Sequence, residues 1–350
     1  MSQTLPLQAP LAPSSAAQAP ARTRRLDIER AKGIAILLVV FGHIVAQRAP
    51  AGVEWYEPVR YAIYRFHMPF FLYLSGTVVV LSGLLARPPS AWPGVVRARA
   101  ERLLLPFFLL GLMILLAKLA AMQVVYVDNV PDGFWGGLRD LFWTTERSPA
   151  VTVWYLAVLF LCTVVSLPLM RLGIGAGGLV ALGLLLQLVE VPPVAYLDRF
   201  ASHFLFFAAG LWVAERQGTL LPAFERGQWL WWLLFGAALG LALAGVLEAR
   251  QALVVCGLLA IPALHGMVRL PPVSSWSWPL FFGRYAMAIY LFNTLAIGGT
   301  KALLIAAGIG WTAEHFWIHA ILLTLAGVAL PIAFKRWVLR RVRPLDRMTD

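Results

Sequence analysis

Charge is scarce in this sequence. Of 350 residues, 29 are Lys or Arg and 17 are Asp or Glu, 13% together, where a soluble globular chain carries roughly a quarter. With 60% apolar residues and a mean hydropathy of +0.75, that shortage excludes an ordinary soluble domain and points to a polytopic membrane protein. Cysteine is nearly absent. Cys162 and Cys256 both fall inside apolar runs, which excludes a disulfide framework or a cysteine metal site and says nothing about redox compartment. No internal repeat stands out that would argue for an inverted-repeat transporter. Room for a large soluble domain is lacking too, because ten spans of about 20 residues take up roughly 200 positions.

What the sequence does hold is a series of long apolar runs. Residues 1–21 are rich in Pro, Ala, Ser and Gln and read as a disordered cytoplasmic tail. Arg22, Arg24 and Arg25 then precede the first run, a layout that mimics a signal peptide but is followed by many further spans. The spacing predicts helices at about 31–47, 61–85, 103–126, 151–169, 174–190, 200–215, 229–247, 252–268, 279–299 and 316–335. The predicted fold class is therefore an all-α polytopic membrane protein, a bundle of about ten transmembrane helices. A transmembrane domain spans 22–340, with a basic cytoplasmic C-terminal tail over 341–350. An even number of spans places both termini on one side. The tail and the segments 86–102, 170–173, 216–228, 269–284 and 335–350 share that side and hold most of the Lys and Arg, which makes it cytoplasmic. The net charge of +12 is thus a topology signal and not the footprint of nucleic-acid binding. Trp55, Trp154, Trp212, Trp229 and Trp278 fall near predicted span ends, as interfacial belts require. The segment 127–150, with Asp128, Asp132, Asp140, Trp135 and Trp143, is the one long outer loop.

Several polar residues sit where lipid would exclude them. Lys32 and His43 are eleven residues apart in the first run, so at about 100° per residue they share a face and lie about 16 Å apart along the axis. The pair reads as a cation at the cytoplasmic mouth and a titratable imidazole deep in the outer half. The competing readings are a snorkelling anchor for Lys32 and a hydrogen-bonded structural histidine for His43. Arg65 and His67 occupy the second run at a depth similar to that of His43, and Pro69 follows, predicting a kink that frees a backbone carbonyl. Ser75 and Gly76 are small enough for close helix packing. Ionisable groups gathered at one depth imply a polar cavity and, by default, function. Before the third run, Arg97, Arg99 and Arg102 form a basic segment. Arg99 and Arg102 fall on one helix face, where guanidiniums can hold phosphates, against the plainer reading of positive-inside anchoring. Lys118, Glu190, Asp198, His203, Glu248, His265, Arg284 and Asn293 are further candidates, most near a span end.

The run Arg25-Leu-Asp27-Ile-Glu-Arg30-Ala-Lys32-Gly33, then Gly42-His43, then Phe66-His67-Met-Pro69-Phe-Phe-Leu-Tyr-Leu-Ser75-Gly76 resembles the integral-membrane acyltransferase 3 family. Arg99-Ala-Glu-Arg102 is similar to its Arg-x-x-Arg segment, Trp154-Tyr155-Leu to the motif opening its fourth span, and Gly283-Arg284-Tyr-Ala-Met-Ala-Ile289-Tyr290-Leu291 to a late Gly-x-x-Ser-Tyr-x-x-Tyr-Leu segment. The resemblance runs from about 24 to 340. It implies a ten-helix enzyme of a bacterial-type inner membrane, moving an acyl group, most often acetyl, from cytoplasmic acyl-CoA to a carbohydrate or glycolipid acceptor. Acyl-CoA enters as a co-substrate, with no permanently bound cofactor and no metal. The active-site motif falls on Lys32 and His43. Acyl-CoA use falls on Arg99 and Arg102, with Arg97 and Lys32 beside them. Trp154, Tyr155, Tyr290 and Asn293 are expected to face substrate, and Asp27, Ser75 and Pro69 to support the site. His43 is then the general base, with Arg65 or His67 stabilising the oxyanion. Lys32 stands where the family has Arg, offering a point charge in place of a bidentate fork. Phe292-Asn293 stands where the late motif often ends in His.

A transporter or flippase would also place ionisable residues at mid-membrane. It differs in moving substrate without consuming acyl-CoA.

Overall fold

The computed structural model describes residues 25–45, 48–122 and 130–349. The predicted tail at 1–21, Arg22 and Arg24, the last two residues of the first predicted span and Asp128 lie outside the described residues. Among those described, the chain is all-helical, with fourteen α-helices. In order they are α1 Leu26–Gly42, α2 Tyr56–Leu81, α3 Trp92–Ala121, α4 Gly133–Phe142, α5 Trp154–Arg171, α6 Ala176–Leu186, α7 Leu197–Glu215, α8 Gln217–Arg226, α9 Gln228–Leu243, α10 Ala249–Arg269, α11 Trp278–Arg284, α12 Ala286–Ala306, α13 Phe316–Trp337 and α14 Arg343–Met348.

Each of the ten predicted runs falls on a helix, but several bounds move. The first begins five residues earlier and ends at Gly42, so His43 is the residue after the helix and not inside it. Arg99 and Arg102 are not in a loop: α3 is 30 residues long and carries them in its first half. The ninth run is two helices, α11 and α12, parted at Tyr285 (φ −105°, ψ 5°). The C-terminal segment folds back: Lys335 Nζ donates to the Thr349 carbonyl (2.8 Å) and α14 rests on α3.

Five helical stretches are long and apolar enough to cross a membrane on that basis alone: Pro89–Ala120, Trp154–Arg171, Ala249–Arg269, Ala286–Ala306 and Phe316–Arg341. Helices α1, α2 and α7 are not among them, yet they are deeply buried. Phe204 to Ala208 on α7, Leu72 to Leu74 on α2 and Ile36, Val39 and Val40 on α1 are all sealed from solvent. The centre of the molecule is therefore built from its less apolar helices, and the more lipid-like ones surround them.

Glycine sets the closest approaches. A side chain at Gly76 would collide with the Phe207 carbonyl of α7, and one at Gly210 with the Tyr73 carbonyl of α2. The two backbones thus touch through a reciprocal glycine pair, the small-residue packing that membrane helices use in place of a hydrophobic drive. Gly33 and Gly283 do the same for α1 and α11: added side chains would strike the Pro279 and Glu29 carbonyls.

Candidate active site

The site is built around the end of α1. The last carbonyls of a helix have no intrahelical partner, and here α2 supplies them. Tyr56 donates its hydroxyl to the Phe41 carbonyl (2.5 Å) and Tyr64 to the Gly42 carbonyl (2.9 Å). Arg60 reaches the Val45 carbonyl (3.0 Å) and pairs with Glu57. Tyr56, Arg60 and Tyr64 are four residues apart in turn, one stripe on α2. Gly42 is required because a side chain there would press on the Tyr64 ring.

His43 is placed by that cap. Its backbone N–H reaches the Val39 and Val40 carbonyls (3.1 Å each). Its ring stands edge-on to Tyr64, with centroids 6.4 Å apart. Its Nδ1 lies 2.8 Å from Oδ1 of Asn293, which is fully buried on α12. The Nδ2 of Asn293 donates to the Ile289 and Tyr290 carbonyls, 2.8 Å each.

Two more imidazoles share this region. The His67 ring packs on the other side of Tyr64, with centroids 5.0 Å apart, and its Nδ1 donates to the Ile63 carbonyl (2.8 Å). His67 lies within electrostatic reach of both His43 and His203. The Nδ1 of His203 bonds the Arg199 carbonyl (3.0 Å) and its ring lies 4.7 Å from that of Trp154. Arg65 is engaged elsewhere than expected. Its Nη1 donates to the Ala249 carbonyl at the start of α10 (3.0 Å) and its guanidinium covers the Tyr61 ring at 4.3 Å. That engagement ties α2 to α10 and leaves the buried Nε without a hydrogen-bond partner.

A second group of polar side chains lies beside the first. Tyr155 shares a hydrogen bond with Ser75 (2.6 Å) and packs against Tyr290, with ring centroids 5.4 Å apart. The Tyr290 hydroxyl donates to the Thr152 carbonyl (2.6 Å). Arg99 and Arg102 are close enough to act on Tyr155 electrostatically. Tyr290 is three residues before Asn293 on α12, so the chain Ser75, Tyr155, Tyr290, Asn293, His43 is continuous. Lys32 lies 3.8 Å from Glu29. Arg97 sits apart, exposed and paired with Glu101 (2.8 Å). Pro69 lies within α2, which continues to Leu81. A depression of about 410 Å³ beside α11, lined by Ser277, Trp278, Leu280, Phe281, Phe282 and Arg284, contains none of these residues. Among the described residues no group of three His, Cys, Asp or Glu side chains is placed to hold a metal ion.

Asp27 anchors a separate cluster at the other end of α1. Its carboxylate accepts from Arg25 (3.0 Å), from Arg269 (2.7 Å) and from the Ile28 backbone N–H (3.0 Å). His265 Nε2 stands 3.5 Å away, an ion-pair distance with no hydrogen bond, and its Nδ1 bonds Tyr73 (2.6 Å). Arg269 continues to Glu225 (2.5 Å) and Arg25 to Gln217 (2.6 Å). This network joins α1, α2, α8 and α10, a supporting role for Asp27. Sequence reasoning named Asp27 and His265 but not the network that joins them, nor the Tyr56–Tyr64 cap, although four-residue spacing marks Tyr56, Arg60 and Tyr64 and also His265 and Arg269.

A family model described as an acyltransferase domain matches residues 25–336. The chain belongs to the acyltransferase 3 family. The match takes in α1 to α13 and every side chain just described. Locally the chain is similar to Nodulation protein NolL of Sinorhizobium fredii (strain NBRC 101917 / NGR234), 37% identical over 103 residues, 29% of this chain and 27% of that protein. It is also similar to Nodulation protein NolL of Mesorhizobium japonicum (strain LMG 29417 / CECT 9101 / MAFF 303099), 39% identical over 85 residues, 24% of this chain and 22% of that one. These matches span about a quarter of each relative's length. No solved structure matches. The chain is thus a member of an acyltransferase family, all-helical among the described residues, with His43 and Asn293 in contact at the end of α1.

Proposed function

We propose that this acyltransferase carries an acyl group, acetyl in the first instance, from cytoplasmic acyl-CoA to a hydroxyl of a carbohydrate or other envelope acceptor, with His43 as general base. The observation that carries the reading is the continuous path from Ser75 through Tyr155, Tyr290 and Asn293 to His43. Ten spans, cytoplasmic termini and a bacterial-type inner membrane complete it. The positive charge gathered on one side supports that orientation.

In this reading the diphosphate of acyl-CoA rests on Arg99 and Arg102 with Lys32 near the mouth, guanidinium forks suiting phosphate. The pantetheine arm passes Ser75, Tyr155 and Tyr290 and brings the thioester to His43. The imidazole takes the proton of the acceptor hydroxyl as its oxygen attacks the thioester carbon. The new C–O bond forms, the C–S bond breaks, and the proton passes to the departing thiolate, which leaves as free CoA. In this reading His67, whose ring packs on Tyr64, stabilises the developing oxyanion.

The test is His43→Ala in purified protein supplied with acetyl-CoA. We expect acyl transfer to fall by about 100-fold or more, with folding and acetyl-CoA binding retained. Full transfer in the variant would remove His43 from the chemistry. A flippase predicts that the wild-type protein moves its substrate without releasing CoA, so free-thiol release discriminates the two classes.

A further inference from the structure

The contact between His43 and Asn293 contains more than proximity. A neutral imidazole carries its proton on one nitrogen and accepts at the other, so a general base of this kind has one working atom, and the tautomer decides which. The carboxamide of Asn293 is ambiguous by shape but not by surroundings. Two backbone carbonyls, of Ile289 and Tyr290, lie 2.8 Å from one terminal atom. Carbonyl oxygens only accept, so that atom is the NH2 group and the other is the oxygen. The reversed rotamer would set an oxygen against two oxygens in a fully buried position. The atom 2.8 Å from His43 Nδ1 is therefore an acceptor, and Nδ1 must bring the hydrogen.

We propose that Asn293 is the positioning residue of the reaction assigned above: it holds His43 in the Nδ1–H tautomer and leaves Nε2 as the atom that takes the proton. The inference rests on that assignment of His43, but its physical content stands without it. Asn293 touches neither donor nor acceptor in this role; it acts through the ring. Its own fixity comes from α12, because its two anchoring carbonyls belong to the turn directly below it. The Tyr64 edge contact and the capped end of α1 restrict the ring from the other side.

The neighbouring imidazoles follow the same arrangement by a different route. His67 and His203 each direct Nδ1 at a backbone carbonyl of their own helix, four residues back. His67 is thereby Nδ1–H as well, without any carboxamide, while the Nδ1 of His203 also meets the Ser202 hydroxyl at 2.8 Å. Among the described residues, the buried ring nitrogens lacking a hydrogen-bond partner belong to His265 and His319, not to these three. His43 thus depends on a distant helix for a proton position that His67 obtains locally, and this gives the experiment an internal control.

The experiment is 15N NMR of protein labelled at histidine and reconstituted in lipid, with the His43 and His67 signals assigned by their loss in His43→Ala and His67→Ala. The wild-type protein is expected to show a protonated, pyrrole-type Nδ1 and a pyridine-type Nε2 at His43. In Asn293→Leu the His43 signals should move to an averaged mixture of tautomers while the His67 signals stay in place. In transfer assays Asn293→Leu should lower kcat on the order of 100-fold with KM for acetyl-CoA unchanged. A wild-type His43 protonated at Nε2, or one whose signals ignore the loss of Asn293, overturns the proposal. If the Leu variant does not fold, the wild-type spectrum decides the tautomer and Asn293→Ala the dependence. The spectra use neither acyl donor nor acceptor, so they separate this inference from the acyl-transfer reading: an active His43→Ala enzyme sinks that reading and leaves the tautomer standing.

Discussion

Gly42 and Tyr64 decide where the His43 ring can be. The Tyr64 hydroxyl satisfies the Gly42 carbonyl while its ring flanks both His43 and His67, so one side chain serves two imidazoles. Tyr64→Phe keeps the ring and removes the hydroxyl. A hydrogen bond inside a membrane protein is worth about 0.6 kcal/mol on average and about 1.7 at most, so thermal stability in detergent should fall only slightly. Gly42→Ala acts by shape, since its new methyl group meets the Tyr64 ring. We expect it to lower transfer at least as much as Tyr64→Phe, with the two measured side by side at saturating acetyl-CoA. The sequence made His43 conspicuous because an imidazole in an apolar run has few other reasons to exist. It could not make Asn293 conspicuous in the same way. That residue lies 250 positions away, and nothing local says which of its two terminal atoms faces outward.

Helix periodicity carried most of the elements into view, and its failures have physical causes. The start of α3 was misplaced because Arg97 to Arg102 lowers local hydropathy, whereas arginine is a good helix former and the helix runs through it. The ninth run reads as one helix because Arg284 at the break is a good helix former. The division comes from Gly283 lying against the Glu29 backbone of α1, a contact no local pattern announces. At this scale the glycine contacts are the sharpest test. Gly33→Ala or Gly283→Ala forces α1 and α11 apart, and overpacking of this kind costs about 1–3 kcal/mol. A drop in unfolding midpoint should appear for each, whereas Gly298→Ala on α12, with open space around it, should be silent. The arginine pair gives a functional test of α3: Arg99→Ala with Arg102→Ala should raise KM for acetyl-CoA about tenfold or more, while Arg97→Ala, exposed on another part of the helix, should not. Unchanged affinity in the double variant would leave the pair as topology anchors.

Taken whole, the molecule puts the Asp27 cluster at one end of α1 and His43, with Tyr64 beside it, at the other. The Asp27 cluster binds four helices together around a single carboxylate that is 8% exposed. Asp27→Asn leaves Arg25 and His265 without their anion and Arg269 with Glu225 alone, and removing one member of a buried pair costs about 3–5 kcal/mol. We expect the variant to be recovered in much lower yield, with the loss visible as a lowered unfolding midpoint. The same polar investment bears on biogenesis. An Asp, Lys or Arg opposes insertion by about 2.5–3.5 kcal/mol at the middle of a span and by less toward its ends. Helix α1 begins with Asp27, Glu29, Arg30 and Lys32, and α2 carries Glu57, Arg60 and Arg65. The first two helices to leave the ribosome are thus poor candidates for release into lipid alone, while their partners α7 and α10 emerge more than a hundred residues later. A chain stopped after α2 should remain extractable by alkali, and one stopped after α10 should not. The enzyme must be held at the insertion machinery until its centre can be assembled from both halves of the sequence.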